Sequence, residues 1–311
     1  MVASPPEAGS ALLGFSNDLA GAVERAGVSV VAVHGRSRLP SSGIHWRPGV
    51  VVTADHTLEH DEGITVTLAD GKTLPASVAG RDSGTDLAVL KIDASGLPVA
   101  EVGDSSSLKI GHIVLAVGRP GDVGLSASWG AISALGPAWR TWAGGQVDQM
   151  IRPDLTLYPG FSGGPLIDAQ GRVVGVNTSG LSRSLTLAIP TSTINRVTET
   201  LLSRGHISRG YLGLAMQPVR LPDSLRSQLS LGNETGLIVV HVEPDGPAER
   251  AGAFVGDILV SIDGKAVGDT EDVQPLLDAD RVGKQLRISV VRGGQLRDLV
   301  TTVGERPQKG S

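Results

Sequence analysis

The sequence contains no cysteine among its 311 residues. This absence excludes a disulfide framework, a thiol nucleophile and a zinc site with cysteine ligands, whereas it leaves the cellular compartment open. The chain also lacks an excess of basic residues, because its net charge is -5. Without a basic surface to neutralise phosphates, nucleic acid is not expected to be a partner.

Long apolar runs are missing as well. No stretch approaches the roughly 20 apolar residues that a membrane-spanning helix needs. Residues 1–10 carry Glu7 but no lysine or arginine, and the apolar residues of 11–15 are too few for the core of a secretory signal. As written, the chain is therefore expected to be soluble and cytoplasmic, although a signal removed during export would leave no trace.

What the sequence does contain is a series of short runs rich in β-branched residues. These runs are residues 28–33, 49–53, 64–68, 73–78, 87–90, 113–117, 130–133 and 166–176. Asp70-Gly71 and Gln170-Gly171 are typical of hairpin turns between such runs. Because no helices alternate with these strands, an antiparallel barrel or sandwich is favoured over a doubly wound sheet. Helices are predicted at residues 17–25 and 190–202.

The length of the chain suits two domains with cores of their own. Gly205 is expected to end the second helix, and a unit of about 95 residues follows it. The predicted elements of this unit are strands near residues 237–242, 258–262 and 286–291 and a short helix near 272–277. Pro275 makes the start of that helix difficult to place.

One serine, Ser162, lies in a frame of glycine and proline at residues 158–166. Such a backbone turns sharply and lets another group approach the hydroxyl, although a plain Gly-Pro turn is the alternative interpretation. A nucleophilic serine needs a base and a carboxylate to orient that base. His56, which follows a β-rich run, and Asp86, which opens another, are the candidates. The order His, Asp, Ser is that of the chymotrypsin arrangement and not of the esterases.

Six blocks of sequence in this region resemble the HtrA family of serine proteases. Three surround the candidate residues, and three support them: 53–56, 85–91 and 159–166, then 116–120, 175–178 and 187–190. The resemblance extends from about residue 14 to 305. It implies a mainly β fold, in which a chymotrypsin-like double β-barrel is followed by one PDZ domain. The implied boundaries are a flexible leader at 1–13, a trypsin-like protease domain at 14–206, the PDZ domain at 207–305 and a disordered tail at 306–311.

The resemblance also implies a role for each site residue. His56 acts as general base and then acid, Asp86 orients it, and Ser162 attacks the peptide carbonyl. The backbone N–H groups of Gly160 and Ser162, with Phe161 between them, form the oxyanion hole, and no metal or organic cofactor is needed. The S1 pocket is expected at Leu157, Leu181 and Leu185, and it implies cleavage after small or medium aliphatic side chains.

Two departures from the family pattern lie close to these residues. The family usually has asparagine where Phe161 stands, and Asn-Ala where Ala54-Asp55 stands. Phe161 leaves the backbone donors in place, but it is a candidate for holding the loop in the collapsed form that the family adopts when inactive. Asp55 either raises the pKa of the neighbouring imidazole or faces solvent.

Residues 209–214 resemble the carboxylate-binding loop of PDZ domains, in which backbone N–H groups receive a peptide C-terminus. The loop residues are Tyr211, Leu212, Gly213 and Leu214. The peptide is expected to add as a strand beside residues 212–217 and to contact the helix near Val273 and Leu277.

The implied function is that of an ATP-independent serine endopeptidase acting on unfolded or misfolded proteins and regulated by C-terminal peptides at the PDZ domain. The resemblance further implies an extracytoplasmic location and a homotrimer. Trimerisation would use Leu12, Leu13 and Phe15, which alternatively pack on their own barrel.

Two other interpretations use the same residues. His56-Thr57-Leu58-Glu59-His60 has the H-x-x-E-H spacing of inverted zinc proteases, which requires both histidines on one face of a long helix. Gly63 and the strand-like run before His56 argue against such a helix. The second alternative is a proteolytically silent barrel that serves as a scaffold for the PDZ domain, and Phe161 and Asp55 are the residues that favour it.

Overall fold

The structure is a computed structural model that describes residues 8–306 except Arg38 and Arg183. The side chains of residues 8–10, 122 and 279 also lie outside the described part. Of the predicted tail, only Arg306 is described. The chain divides into two units, 1–207 and 208–311, and each is treated by itself.

Six antiparallel strands close into a first barrel. They are β1 (Val30–His34), β2 (Ser41–Arg47), β3 (Val50–Thr53), β4 (Thr65–Thr67), β5 (Thr73–Asp82) and β6 (Leu87–Ile92), in the order β1-β2-β3-β6-β5-β4. Buried valines and leucines such as Val31, Val51 and Leu90 fill the interior. The turn predicted at Asp70-Gly71 joins β4 to β5, and Gly71 has a φ of 85°, which favours glycine.

A second barrel of six antiparallel strands follows. The strands of this region are β7 (Ile113–Gly118), β8 (Ser126–Gly136), β9 (Trp139–Arg140), β10 (Gln146–Val147), β11 (Met150–Asp154), β12 (Pro165–Asp168), β13 (Val173–Thr178) and β14 (Leu187–Pro190). The barrel order is β11-β14-β13-β12-β7-β8, while β9 and β10 form a separate hairpin. The hairpin turn predicted at Gln170-Gly171 joins β12 to β13. The two closed barrels confirm the predicted chymotrypsin-like fold.

Two helices pack on these barrels, α1 (Ala8–Gly27) and α2 (Thr191–Arg204). Ala22 and Ala26 of α1 are buried, and α1 contacts β7 and β12. The prediction of a flexible leader over 1–13 is therefore wrong from Ala8 onward, while residues 1–7 lie outside the described part. The helix predicted at 17–25 is also too short, since α1 begins nine residues earlier, at Ala8, and ends at Gly27.

The second helix, α2, ends at Gly205, as predicted. Gly205 has a φ of 78° and its N–H donates to Leu201 O at 2.9 Å, which closes the last turn of the helix. Helix α2 contacts β5 and β6 of the first barrel and β13 and β14 of the second. Within the described residues, no helix is both long and apolar enough to cross a membrane.

The second unit is built on a six-stranded antiparallel sheet. The described strands of this unit, inside and outside the sheet, are β15 (Gly210–Tyr211), β16 (Leu214–Arg220), β17 (Thr235–Val242), β18 (Ile258–Ile262), β19 (Lys265–Ala266), β20 (Gln285–Arg292), β21 (Gln295–Thr302) and β22 (Gly304–Glu305). The order is β16-β17-β18-β20-β21 with β19 beside β18, and β15 pairs separately with β22. Strand β16 is consequently an edge of the sheet.

Three short helices complete this unit: α3 (Asp223–Leu229), α4 (Pro247–Arg250) and α5 (Thr270–Val273). Helix α5 begins with a capping box, in which the side chains of Asp269 and Asp272 each accept from the other's backbone N–H. A 3-10 turn over Gln274–Leu277 continues it, and Pro275 lies in the first turn of that segment, where no N–H is required. The other 3-10 turns are Asp55–Thr57, Ser105–Ser107, Gly121–Val123 and Ala279–Arg281.

Candidate active site

His56 and Asp86 form a hydrogen-bonded pair beside the first barrel. His56 lies in the 3-10 turn after β3, and Asp86 directly precedes β6 with a φ of 57°, which an aspartate tolerates. His56 Nδ1 is 2.8 Å from Asp86 Oδ2, and the backbone N–H of His56 donates to Asp86 Oδ1 at 2.8 Å. Because an ionised carboxylate only accepts hydrogen bonds, Nδ1 carries the proton in the neutral imidazole and Nε2 is left as an acceptor.

The end of β13 holds this pair in place. Thr178 Oγ1 donates to Asp86 Oδ2, and Gly180 N–H donates to Thr178 Oγ1 at 2.8 Å. Gly180 packs directly on the pair: a Cβ atom at this position would lie 2.6 Å from Asp86 Oδ2 and 2.7 Å from His56 Nδ1. Residue 180 must therefore be glycine if the pair is to keep this geometry.

The serine loop contains a tight turn over residues 158–161. Phe161 N–H donates to Tyr158 O at 3.0 Å, Pro159 occupies the second position, and Gly160 has a φ of 88°. A proline in the second position and a positive φ in the third define a type II turn. The turn type matters because it sets the orientation of the Pro159–Gly160 peptide, and with it the Gly160 N–H.

Ser42 of β2 fixes the loop from the first barrel. Its Oγ donates to Gly160 O at 2.7 Å, and its N–H donates to Ser162 O at 3.1 Å. In the part of the chain that the structure describes, the N–H groups of Gly160 and Ser162 donate to no acceptor. Two anchored peptide groups with unused donors can receive a developing oxyanion.

Phe161 anchors the loop by packing. Its side chain is 1% exposed and meets the ring of Tyr158 edge to face at 5.5 Å. Gly118 leaves the space for the Phe161 ring, since a Cβ at 118 would lie 2.8 Å from it. The large side chain is thus accommodated together with the type II turn.

The serine and the histidine approach each other through a third side chain. Ser179 Oγ lies 3.1 Å from Ser162 Oγ and 3.4 Å from His56 Nε2. Ser162, His56 and Asp86 are therefore brought together at one site, with an additional hydroxyl between the first two.

Asp55 does not face solvent, which corrects one of the two expectations for it. Asp55 is buried and accepts from Arg81 Nε at 2.6 Å. Burial raises the pKa of the Asp55 carboxyl, against the opposing effect of Arg81. Arg81 also donates to Asp61 and to the carbonyls of Asp55 and Leu58, so it braces the turn that carries His56.

The H-x-x-E-H segment does not form the helix that a zinc protease needs, so this interpretation is wrong. The 3-10 turn ends at Thr57, and Leu58 is extended with a φ of -101° and a ψ of 108°. His56 and His60 consequently do not share a helical face. Within the described residues, no group of three metal-ligating side chains is placed to hold a metal ion.

The three leucines predicted for the S1 pocket differ in exposure. Leu181 is buried and belongs to the core of the protease unit, Leu157 is half-buried, and Leu185 is 44% exposed. The pocket assignment stays a prediction.

In the second unit, the carboxylate-binding loop predicted at residues 211–214 falls on the end of β15, the two residues between the strands, Leu212 and Gly213, and the start of β16. Gly213 has a φ of 77°, and the carbonyls of Leu212 and Gly213 accept from Ala248 and Glu243 at 2.8 Å each. Within the described residues, the N–H groups of Leu212 and Gly213 donate to no acceptor. The edge strand β16 and helix α5 contact each other.

Sequence reasoning missed several residues that shape the candidate site. Thr178 stands in one of the supporting blocks, but nothing in the sequence pointed to its bond with Asp86. Ser42, Arg81 and Ser179 belong to no motif, because each acts through contacts between segments far apart in the chain. Among these residues, Gly180 alone carries a signal, because it is a small residue two positions after the end of the buried strand β13.

Two antiparallel barrels with a His-Asp pair facing a glycine-framed serine define the chymotrypsin-type serine peptidase class. Sequence profiles agree: one described as a trypsin-like peptidase domain matches residues 41–176, and one described as a PDZ domain matches residues 210–303. A probable periplasmic serine endoprotease, DegP-like, from Halomonas elongata is 36% identical over 283 residues, which are 89% of this chain and 59% of that protein.

The putative serine protease HhoB from Synechocystis is 36% identical over 273 residues, which are 84% of this chain and 65% of that protein. The chain thus spans less than two thirds of the length of these two relatives. The solved structure of the HtrA-type protease AlgW with a decapeptide superimposes with a TM-score of 0.71 at 32% identity, covering 93% of this chain and 99% of that one.

A serine endoprotease from Yersinia pestis gives a TM-score of 0.72 at 31% identity, covering 93% of this chain and 98% of that one. The chain belongs to the HtrA family of serine proteases and carries one PDZ domain.

Proposed function

We propose that this chain is an ATP-independent serine endopeptidase that cleaves unfolded or misfolded proteins. The observation that carries the proposal is the site itself: an oriented imidazole next to a serine whose loop offers two unused N–H donors. No element of this arrangement calls for a nucleotide or a metal ion as a reactant, because proton transfer and charge stabilisation both come from the protein.

The mechanism follows from these contacts. As Ser162 Oγ bonds to the scissile carbonyl carbon, its proton leaves toward His56 Nε2, and the carbonyl electron pair moves onto oxygen. The N–H groups of Gly160 and Ser162 stabilise this oxyanion, and Asp86 stabilises the imidazolium. When the C–N bond breaks, Nε2–H passes its proton to the leaving amine. Water then hydrolyses the acyl-enzyme by the same steps in reverse.

The substrate side chain before the cleaved bond is proposed to be aliphatic. Leu157, Leu181 and Leu185 supply only apolar groups, so they offer no partner for a lysine or arginine side chain.

The PDZ domain is proposed to bind peptide C-termini and thereby to regulate cleavage. A terminal carboxylate matches the unused N–H groups of Leu212 and Gly213, and the peptide chain matches the open edge of β16. AlgW, a solved relative, holds a decapeptide or a tripeptide.

We further propose a homotrimer in an extracytoplasmic compartment. Leu12 and Leu13 of α1 are 71% and 62% exposed, which is a large apolar surface for a monomer to leave in water. Phe15 does pack on its own barrel, against Trp129 at 6.4 Å, so the two leucines are the stronger candidates for the subunit contact. A monomeric mass in sedimentation would contradict this. The location is proposed from the periplasmic DegP-like relatives.

Cleavage of casein tests the proposal. The Ser162→Ala variant is expected to lose cleavage completely while keeping the parent's thermal melting, because it removes only the attacking oxygen. Cleavage that persists in this variant would contradict the assignment. A folded parent without activity, in the presence and absence of a C-terminal peptide, would instead favour the silent scaffold.

A further inference from the structure

A carboxylate lies directly beside the loop that is proposed to receive a peptide C-terminus. Glu243 N–H donates to Gly213 O at 2.8 Å, and a Cβ at Gly213 would lie 3.2 Å from Glu243 Cβ. Burial raises the pKa of the Tyr211 phenol in the same loop, and the charge of Glu243 raises it further, against the opposing effect of Arg306. The negative charge of Glu243 therefore acts on the loop.

A histidine orients this carboxylate without using all of it. His241 Nε2 is 3.2 Å from Glu243 Oε2, and the two side chains are 59% and 53% exposed. In the described part of the chain, the other carboxylate oxygen, Glu243 Oε1, takes part in no hydrogen bond. This oxygen is left to accept from a ligand that approaches from solvent.

The strand between this pair and the peptide site carries no side chain large enough to separate them. Ala215 of β16 pairs with His241, so their side chains share one face of the sheet. Ala215 is exposed, whereas its neighbours on either side in β16 pack against the PDZ core. Gly213 has no side chain at all. A long side chain on a peptide beside β16 can therefore lie across Ala215 and Gly213 and reach Glu243.

The alternation of side chains along a strand identifies the peptide residue that would do so. The last side chain of the peptide is proposed to point toward the helix near Val273 and Leu277. Because successive side chains point to opposite faces, the penultimate one lies on the face of Ala215 and Glu243. The peptide and β17 are two strand spacings apart, about 10 Å, which a long basic side chain and that of Glu243 can bridge together.

We propose that the PDZ domain prefers peptides with a basic residue at the penultimate position and that Glu243 determines this preference. This inference rests on the proposed binding of peptide C-termini. A basic side chain there offsets the repulsion between the Glu243 carboxylate and the terminal carboxylate of the peptide. An acidic side chain at the same position would add a third negative charge to the site.

Calorimetric titration of the full-length protein with peptides tests this preference, with Ser162→Ala in every sample to prevent cleavage. Three hexapeptides are identical, with a C-terminal leucine, except that the penultimate residue is lysine, glutamine or glutamate. A fourth has the lysine and an amidated C-terminus. Glu243→Gln removes the charge and keeps the size. Glu234→Gln is the matched control, because Glu234 directly precedes β17, at the opposite end of that strand. Thermal melting establishes that each variant is folded.

At low ionic strength we expect the lysine peptide to bind about threefold more tightly than the glutamine peptide and about tenfold more tightly than the glutamate peptide, as for a solvent-exposed ion pair. In Glu243→Gln, the lysine and glutamate peptides should differ by less than about threefold, while Glu234→Gln keeps the ratios of the parent. Salt at about 1 M, where the Debye length is about 3 Å, should weaken the preference in the parent.

Equal affinity of the parent for the lysine and glutamate peptides would overturn the preference. A tenfold ratio that persists in Glu243→Gln would overturn the role of Glu243. The proposed function fails separately: if no peptide of the series binds, or if the amidated peptide binds as tightly as its acid form, the loop does not receive a peptide C-terminus.

Discussion

The loop at residues 158–162, the catalytic loop, and the loop at 211–214, the peptide loop, use the same device in different surroundings. Each has a glycine with positive φ, 88° at Gly160 and 77° at Gly213, beside backbone N–H groups without an acceptor in the described structure. The space around them differs. A Cβ at Gly160 would lie 2.6 Å from Pro120 and 2.9 Å from Pro40 O, whereas the nearest atom to one at Gly213 is Glu243 Cβ at 3.2 Å.

The tighter packing around Gly160 than around Gly213 fits the kind of anion that each loop is proposed to bind. The proposed catalytic loop must favour an oxyanion that exists only in the transition state, so its donors have to be fixed before the reaction begins. The peptide loop would bind a stable carboxylate, whose binding tolerates small adjustments of the backbone. Tight packing is therefore expected where the charge is transient, and looser packing where it is permanent.

The largest effect is expected from Gly160→Ala, which breaks the catalytic loop. The new methyl group meets Pro120 and the Pro40 carbonyl, and alanine disfavours the positive φ, so the turn must change. We expect kcat to fall by about 10²–10³, the effect of losing one oxyanion donor. Binding of a C-terminal peptide, measured by calorimetry, should be unchanged. A variant with full activity would show that the Gly160 N–H is not a donor in the reaction.

The next largest effect is expected from Asp257→Asn, which tests whether the two units that carry the loops unfold independently. The side chain of Asp257 is 1% exposed, and both of its oxygens accept from Arg292 at 2.7 Å. Breaking this pair should destabilise the PDZ unit by about 3 kcal/mol at neutral pH. Thermal unfolding should therefore show an earlier PDZ transition, while fluorophosphonate labelling of Ser162 stays at the parent's rate. If labelling were lost at the temperature at which the PDZ unit unfolds, the two units would not unfold independently.

The same variant has a defined pH dependence. Burial raises the pKa of Asp257, but hydrogen bonds from Arg292 and from the Phe254 N–H outweigh it and hold the pKa below its usual 3.8. Because the folded-state pKa is the lower one, the stabilisation is complete above pH 3.8 and is lost as the pH falls through the folded-state value. The stability difference between parent and Asp257→Asn should accordingly shrink below pH 3.8.

The smallest effect is expected from Gly213→Ala, which perturbs the peptide loop. The new Cβ would lie 3.2 Å from Glu243 Cβ, so the main cost is the positive φ, about 1–2 kcal/mol. We expect a C-terminal peptide to bind about tenfold more weakly, with esterase activity toward a small ester unchanged. If Gly213→Ala weakened peptide binding by as much free energy as Gly160→Ala removes from catalysis, the two loops would not differ in how tightly they are packed.

The architecture could be predicted from the sequence because each barrel strand has a recognisable local sequence pattern. Short β-branched runs and Gly-containing turns found most of the barrel strands; the predicted ends differ from the observed ones by one or two residues in most of them and by three or four in β5 and β8. The first turns of α1 were missed because residues 8–11 are only Ala, Gly and Ser, and Gly14, a poor helix former, lies among the apolar residues that follow. What holds the helix is the burial of Ala22 and Ala26 farther along.

The candidate site was predictable only in its three named residues and their loop. Ser42 is 120 residues from Ser162, and Ser179 is 123 from His56, so no local pattern links them. From the sequence, Phe161 is a candidate for holding the loop in a collapsed form. The space beside Gly118 that accommodates its ring exists only after β7 has folded against the serine loop.

Gly180 bears on how inactive relatives are recognised. A single methyl group there would press into Asp86 and His56 from behind, at 2.6 and 2.7 Å, without altering any of the three residues by which such enzymes are usually identified. A chain that keeps His56, Asp86 and Ser162 but has a larger residue at position 180 would therefore be classified as a protease and yet be inactive. Surveys for pseudoenzymes in this fold should inspect the residue behind the imidazole as closely as the serine in front of it.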